Sequence, residues 1–514
     1  MALRLADNEW GFAVAENNPF RIFRILQDIA KESVGEESVI DLSRGDPGYG
    51  FTPSDRGRRF VSYLLFLDTV FNNTRQRVVT DFSKSDQWLS IKDQVEKATK
   101  DFYTPEIAKT LLDDFEFFLH EVTEMGKQQG LDYSPYKVFY ELFKYSMVSG
   151  GSYHDPLGEA VIRVIVAWWH KKAISTPIDY RDLIFVSGAS HAIGDLFKML
   201  GADGIGFLLP HSKAMITSPV YAPYNSILES RGIEVFSLEI DSFTGKMAPH
   251  AYEEMINYPH DIKVILLIDP NNPTGFSMSE ESLRSIGGFA KRKNSLIITD
   301  EVYSSFFKDK KTMIDICPER TIRIHSRSKI ERSTGLRFGD VMVAKEGQKY
   351  IMENILRNYV KSGTTWNELF MAAKGPGGIL GEFQHTTFVP GPAQILGAAH
   401  IVLGKEERGV YRESVGNNMS IFSQILELPH QGNMYYIIFD LNEVKGAVKQ
   451  HIPIEEKLVQ LAKRGVVYIP SNRFFSEKDR QASDRRNTVR ASVVNTSADN
   501  IRKAAEITRE YLRS

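Results

Sequence analysis

The chain has 514 residues, 42% hydrophobic and 25% charged, the mixture of a folded water-soluble protein rather than a disordered or membrane-embedded one. Lysine and arginine number 63 against 65 acids, so a net charge of −2 gives no global basic field for nucleic acid or an anionic membrane. Cys317 is the only cysteine, which excludes an intrachain disulfide and a cysteine metal cluster; it is expected as a small buried residue, and no metal site is expected.

Residues 1–20 carry acids and no apolar run, unlike a secretory signal. No stretch approaches the roughly 18 uninterrupted apolar residues of a membrane-spanning helix, and the chain reads as cytoplasmic. Its length predicts two domains with embellishments. From residue 20 a short helical pattern leads to a strand at Val39-Ile40-Asp41-Leu42, which ends in Ser43-Arg44-Gly45-Asp46-Pro47-Gly48. Residues 55–148 are aromatic, charged and poor in glycine, with Phe115, Phe118, Leu119 and Val122 at helical spacing. They predict a helical insertion that covers a domain or subunit surface.

Beyond Gly150 the pattern changes to strand, turn, helix. Asp182-Leu183-Ile184-Phe185-Val186 is a buried-strand run that stops at Ser187-Gly188-Ala189-Ser190, before a helical pattern from His191 to Leu200. The apolar runs 264–268 and 296–298 repeat the alternation, which predicts an α/β fold with a mostly parallel sheet and crossover helices. The last stretch differs, with strand patterns at 434–439, 466–469 and 488–494 and an amphipathic helix from Ala498. The expected division is an arm and start of a small domain at 1–54, the insertion at 55–148, a large domain at 149–395 and a smaller α+β domain at 396–514.

The chemistry-bearing residues fall at strand ends. Ser326-Arg327-Ser328-Lys329 is followed eight residues later by Arg337. A lysine can form an imine with an aldehyde cofactor, and hydroxyls plus an arginine can bind that cofactor's phosphate. Asp300 ends a strand and can pair with a pyridinium nitrogen. The turn Asp269-Pro270-Asn271-Asn272-Pro273-Thr274-Gly275 can aim an amide at a ring hydroxyl. Gly188, Ala189 and Ser190 precede a helix, where small residues let backbone amides approach a phosphate. Each segment also has a plainer reading as a cap, a turn or an acid at a strand end; their joint order is the stronger signal.

In Asn272-Pro273-Thr274-Gly275, Asp300-Glu301-Val302-Tyr303 and Ser326 to Lys329 with Arg337, the chain resembles the class I/II aminotransferases, pyridoxal-phosphate (PLP) enzymes of fold type I. The resemblance implies a large PLP-binding domain at 149–395, with Lys329 as the Schiff-base lysine and proton carrier. It implies Asp300 on the pyridine nitrogen, Asn272 and Tyr303 on the phenolic oxygen, and Gly188, Ala189, Ser190, Ser326, Ser328 and Arg337 around the phosphate. Tyr221 resembles the stacking aromatic, Tyr153 the tyrosine that reaches the phosphate from a partner subunit, and Arg490 the clamp on the substrate α-carboxylate. Arg44, Gly45, Asn272 and His385 are further substrate-side candidates, and a homodimer or larger homo-oligomer is implied.

Within that family the bifunctional aspartate aminotransferase/aspartate 4-decarboxylase branch is the nearest resemblance. It implies an acidic amino acid and a 2-oxo acid as substrates. The departures are Arg327 between the two serines and Ile330-Glu331-Arg332-Ser333 after the lysine, which put aspartate in question but not PLP. Elimination or replacement on a substrate such as S-adenosylmethionine uses the same residues, so that alternative stays open. A PLP-binding regulator is a minor alternative, opposed by the full set Lys329, Asp300 and Arg490.

Overall fold

The computed structural model describes residues 19–47, 54–73, 88–143, 155–242, 244–371, 389–430, 432–449, 451–471, 474–475 and 488–514. In chain order its strands are β1 (Ile40–Asp41), β2 (Leu183–Val186), β3 (Lys213–Ser218), β4 (Glu234–Glu239), β5 (Val264–Ile268), β6 (Leu296–Asp300), β7 (Thr321–Ser326), β8 (Gly339–Met342), β9 (Tyr436–Asp440), β10 (Val466–Val467), β11 (Ile469–Pro470) and β12 (Thr488–Ser492). The chain forms two compact units interleaved in sequence. One comprises Met1–Phe51, Leu208–Cys317 and Val410–Ser514; the other comprises Thr52–Phe207 and Pro318–Gly409.

In the first unit β4, β3, β5 and β6 run parallel in that order. Every residue of β5 and β6 is buried, so these strands are nearly continuous apolar runs rather than alternating ones. The connecting helix Glu280–Lys293 starts at Ser279, whose side chain accepts from the Ser282 amide. It carries acids in its first turn and Lys291, Arg292 and Lys293 in its last. Asn294 ends it in a left-handed conformation, φ 52°. Its inner face packs Leu283, Ile286, Phe289 and Ala290 against Ile265, Leu267, Ile297 and the fully buried Cys317. Truncating Phe289 to alanine there costs about 3–5 kcal/mol.

The same unit holds a three-stranded antiparallel sheet, β11-β12-β9, and the parallel pair β1-β10. Arg490 lies in the central strand of that sheet, opposite Ile438 and Ile469. The α/β class read from the alternation is therefore the one the chain adopts.

The second unit contains the helices Asp55–Asn73, Trp88–Phe102, Pro105–Lys127 and Pro135–Phe143. Aromatic pairs hold them together: Phe60 stacks on Phe118 at 4.6 Å, and Phe115 meets Phe139 edge-on at 6.1 Å. The apolar helix Ala160–His170 follows, buried along most of its length. Strands β2 and β7 both pair antiparallel with β8. Among the described residues no helix is long and apolar enough to cross a membrane.

Candidate active site

Strands β5 and β6 end level with each other, because Ile268 pairs with Asp300. The Asp300 carboxylate, 5% exposed, accepts from the Tyr224 hydroxyl at 2.6 Å and from the Val302 amide at 3.1 Å. Tyr224 lies in the helix Ala222–Glu229, whose N-cap is Tyr221, and the two rings meet edge-on at 5.5 Å. Burial, and then the Asp300 carboxylate, push the Tyr224 hydroxyl well above its ordinary range, so it stays a donor.

After β5 the chain turns at once. Asn271 donates its side-chain amide to the Pro219 carbonyl at 3.0 Å, and its backbone closes the turn onto Phe276 and Gly275. Gly275 has φ +77°, and a Cβ there would lie 1.9 Å from the Tyr436 carbonyl oxygen, so only glycine fits. The turn sets Asn272 between two groups. Its amide nitrogen donates to the Tyr303 hydroxyl at 3.5 Å, and its oxygen accepts from Arg490 Nη1 at 3.1 Å. Tyr303 in turn donates to the Tyr436 hydroxyl at 3.2 Å.

Arg490 is 6% exposed and donates its Nη2 to the Ser43 carbonyl at 2.7 Å. Its guanidinium lies 4.4 Å from the Tyr436 ring centre and 5.0 Å from that of Phe474. Its Nε has no hydrogen-bond partner among the described residues. Gly45 faces the same tyrosines: its carbonyl accepts from Tyr435 at 3.1 Å, and a Cβ would lie 1.8 Å from the Tyr436 hydroxyl. Arg44 points to a different group. It pairs with Asp41 at 3.2 Å and reaches Gln27 at 3.4 Å with its side chain half exposed. Gly45, Asn272, Tyr303 and Arg490 thus share one network, in which sequence reading missed Tyr435 and Tyr436. Like Tyr224 in its helix, these carry no signal beyond an aromatic in or next to a secondary-structure element.

In the second unit the register does the positioning. Gly339 of β8 pairs with Val186 on one side and Ser326 on the other, so β2 and β7 end at the same level. A Cβ on Gly339 would sit 2.8 Å from the His325 carbonyl oxygen and 3.1 Å from the Gly188 Cα, and its absence allows this close approach. Gly188, φ +88°, caps the helix Ala189–Leu200, whose first turn includes Ala189 and Ser190. Arg337 donates to the Ser187 carbonyl at 3.1 Å and is itself exposed. The Ser328 amide donates to the Ser326 hydroxyl at 3.0 Å, and the turn continues through Lys329, whose carbonyl accepts from the Arg332 amide at 3.1 Å. The structure therefore brings Gly188, Ala189, Ser190, Arg337 and the 326–329 turn to one set of strand ends. Tyr153 and His385 lie outside the described residues.

Behind that turn is a buried charged cluster. His170 Nε2 meets Asp340 at 2.6 Å, and Arg323 Nη1 meets His170 Nδ1 at 2.9 Å. Arg327 Nη2 reaches His325 Nδ1 at 2.8 Å and Asp340 at 3.4 Å, with its guanidinium 4.1 Å from the Trp169 ring centre. Burial lowers the His170 ring to about 4, so it is neutral at pH 7. Burial alone would raise the Asp340 carboxyl, but His170, Arg327 and Arg323 outweigh it and hold it at about 2. Potential ligand atoms of His170, His325 and Asp340 lie within 4.8 Å of one another. A divalent cation there would meet two guanidiniums, and those side chains are already engaged. The alternation Arg323, His325, Arg327 was a readable signal for one strand face carrying this cluster.

PLP, the cofactor of the resembled family, needs an anion seat, a carboxylate for its ring nitrogen, donors for its phenolic oxygen, and an amine. The first unit offers a buried Asp300 held by a donor and Asn272 beside Tyr303; the second offers a glycine-capped helix start with two serines and Arg337, and Lys329. The orphaned Nε of Arg490 adds a buried cationic donor of the kind a substrate carboxylate takes.

Residues 144–367 match the profile of the family Aminotransferase class I and II. The probable N-acetyl-LL-diaminopimelate aminotransferase of Bacillus subtilis is 28% identical over 205 residues, 39% of this chain and 50% of that protein. The bifunctional aspartate aminotransferase and L-aspartate beta-decarboxylase of a Pseudomonas species is 28% identical over 176 residues, 34% of this chain and 33% of that protein. The matched stretches thus span half or less of these two relatives. Among solved structures, a double mutant of Thermus thermophilus aspartate aminotransferase superposes with a TM-score of 0.54 at 19% identity, covering 77% of this chain and 95% of that one. An archaeal alanine:glyoxylate aminotransferase reaches 0.59 at 16% identity, covering 95% of both chains. Residues 144–367 therefore carry the likeness to the aminotransferase class I and II family, and the chain has the α/β fold of PLP fold type I, with its branch unassigned.

Proposed function

We propose that the chain is a PLP-dependent aminotransferase acting on an acidic amino acid such as aspartate, with a 2-oxo acid as amino acceptor. The observation that carries the reading is Arg490, a buried arginine whose Nε is unpartnered among the described residues, hydrogen-bonded to Asn272 of the turn after β5. Aspartate is favoured by the kinds of relative matched, which include aspartate aminotransferases of Pyrococcus horikoshii and Thermotoga maritima. Loss of the 4-carboxylate from aspartate is a second outcome compatible with the same residues.

When bound, PLP withdraws electrons from the Cα of an attached amino acid and so weakens its bonds. Lys329 would hold the cofactor covalently and, once released, take the α-proton on Nζ and return it. Asp300, oriented by the Tyr224 donor, would hold a proton on the ring nitrogen. Asn272 and Tyr303 would fix the ring's phenolic oxygen, and Tyr221 would cover one ring face. Gly188, Ala189, Ser190, Ser326, Ser328 and Arg337 would hold the phosphate through amides, hydroxyls and a guanidinium. Arg490 would orient the substrate through its α-carboxylate and thereby select which Cα bond stands ready to break. We extend the proposal to a homodimer, with Tyr153 and His385 serving across the subunit boundary.

The test is product analysis of PLP-loaded protein with L-aspartate, with and without 2-oxoglutarate, beside Lys329→Ala. Oxaloacetate and glutamate are expected from the wild type and not from the variant. Alanine and carbon dioxide would add 4-decarboxylation. Amino transfer from other donors alone would overturn aspartate, and no transfer from any donor would overturn the reading.

A further inference from the structure

The residue between the two serines has no part in the roles above, yet it is the most heavily anchored side chain in that turn. Arg327 is 1% exposed. Its backbone amide donates to the Phe338 carbonyl at 2.8 Å, which ties residue 327 to the chain entering β8. Its guanidinium bonds His325 of β7 and Asp340 of β8 and stacks on Trp169 of the helix Ala160–His170. Three elements therefore fix one side chain, and Ser326 and Ser328 flank it in sequence with a hydrogen bond of their own.

A charge in such a place is costly. An apolar side chain of similar size would fill the space at lower desolvation cost, and buried ion pairs replaced that way often leave a protein as stable or more so. Arg327 Nη1, moreover, has no hydrogen-bond partner among the described residues. With His170 and His325 both held neutral by burial, Arg323 and Arg327 face Asp340, while the carboxyl of Glu331, raised by burial, feels Arg327 and Arg408. Arg327 lies in the turn between Ser326 and Ser328, and a guanidinium so buried is weakly screened.

Building on the PLP reading, we propose that Arg327 is a positioning residue for the cofactor's phosphate, holding the Ser326–Ser328 turn in place and supplying a buried positive charge beneath it. It acts through the two serines and the field rather than by contact. A residue that merely fills the core would affect PLP and its phosphate-free analogue pyridoxal alike. A phosphate-directed charge separates the two.

The experiment measures binding of PLP and of pyridoxal to the apo full-length chain, by the absorbance of the lysine-bound aldehyde. It compares wild type, Arg327→Lys, Arg327→Met and the double variant Arg327→Met/Asp340→Asn. The expected result is PLP affinity at least about tenfold weaker in Arg327→Met, with pyridoxal changed less than about twofold and Arg327→Lys closer to wild type on PLP. The double variant removes the guanidinium without leaving Asp340 as an unmatched buried anion, so it reports whether the guanidinium itself is needed should Arg327→Met alone fail to fold. Equal losses for both aldehydes, or unchanged PLP affinity, would overturn the inference. Failure of wild type to take up PLP, or uptake with the same absorbance in Lys329→Ala, would instead overturn the PLP reading itself.

Discussion

Two clusters of strand ends carry the candidate chemistry, and they are built from different interactions. Around the ends of β5 and β6, the connections Asn272–Tyr303, Tyr303–Tyr436 and Tyr435–Gly45 are hydrogen bonds between neutral groups. Charge enters that cluster at Asp300, which takes a neutral donor, and at Arg490, which leaves a nitrogen unused. Around the ends of β2 and β7, exposed Arg337 and the serine turn stand before a buried set of two histidines, two arginines and one aspartate. Neutral hydrogen bonds orient groups at modest cost and leave charges free to meet a ligand. Buried charges hold a backbone rigidly but tie its stability to protonation.

The largest expected effect is at the amine. Lys329→Ala should lower amino transfer by roughly 10³-fold or more, measured as product formed per protein, while leaving the neutral cluster folded. Next is the buried arginine of that cluster. Arg490→Lys keeps the charge but loses the planar fork, and should raise KM for the amino donor by about 10- to 100-fold with a smaller change in kcat. An equal fall in kcat with KM unchanged would mean that Arg490 does not meet the ground-state substrate.

The charged cluster should reveal itself in pH. The folded pKa of His170 is lowered to about 4, first by burial. At this group the unfolded chain therefore binds more protons between about pH 6.5 and 4. Its contribution to stability should be flat above that window and fall as pH drops through it, by on the order of 3 kcal/mol. The Asp340 carboxyl is lowered as well, so its contribution has the same sign: present above its ordinary value and lost as pH falls through about 2. Denaturant midpoints at a series of pH values measure this, and His170→Gln should make the slope shallower. The same slope in wild type and variant between pH 7 and 4 would remove the distinction between the two clusters.

The smallest effect is Gly188→Ala. Its φ of +88° costs an L-residue about 1–2 kcal/mol, and the new methyl would crowd Arg337 Nη2 at 2.5 Å. The side chain can swing away, so a modest fall in thermal midpoint and weaker PLP uptake are expected. Loss of folding would show that the two strand ends approach more rigidly than this.

How much of this was legible in the sequence follows the same division. The alternation of apolar runs and helical segments located β2, β5 and β6, because fully buried strands need continuous apolar residues. The turn 269–275 and the acid at 300 were legible because turn chemistry and strand ends are local signals. Tyr224, Tyr435 and Tyr436 were not, because a tyrosine looks the same in a core as beside a carboxylate. Arg327 was noticed as unusual, but its partners beyond His325 sit 13 and 158 residues away, at Asp340 and Trp169. Only the β7–β8 register and the packing of the helix Ala160–His170 bring them together. Arg44 shows the converse: a motif placed it near Gly45, and a short-range pair with Asp41 decides where it points.

The central claim is that Lys329 carries the cofactor, and one measurement addresses it directly. PLP-loaded protein is reduced with borohydride, digested and mapped by mass spectrometry. The account predicts a single pyridoxyl adduct, on the peptide containing Lys329. Adducts spread over surface lysines, or none at Lys329, would contradict it.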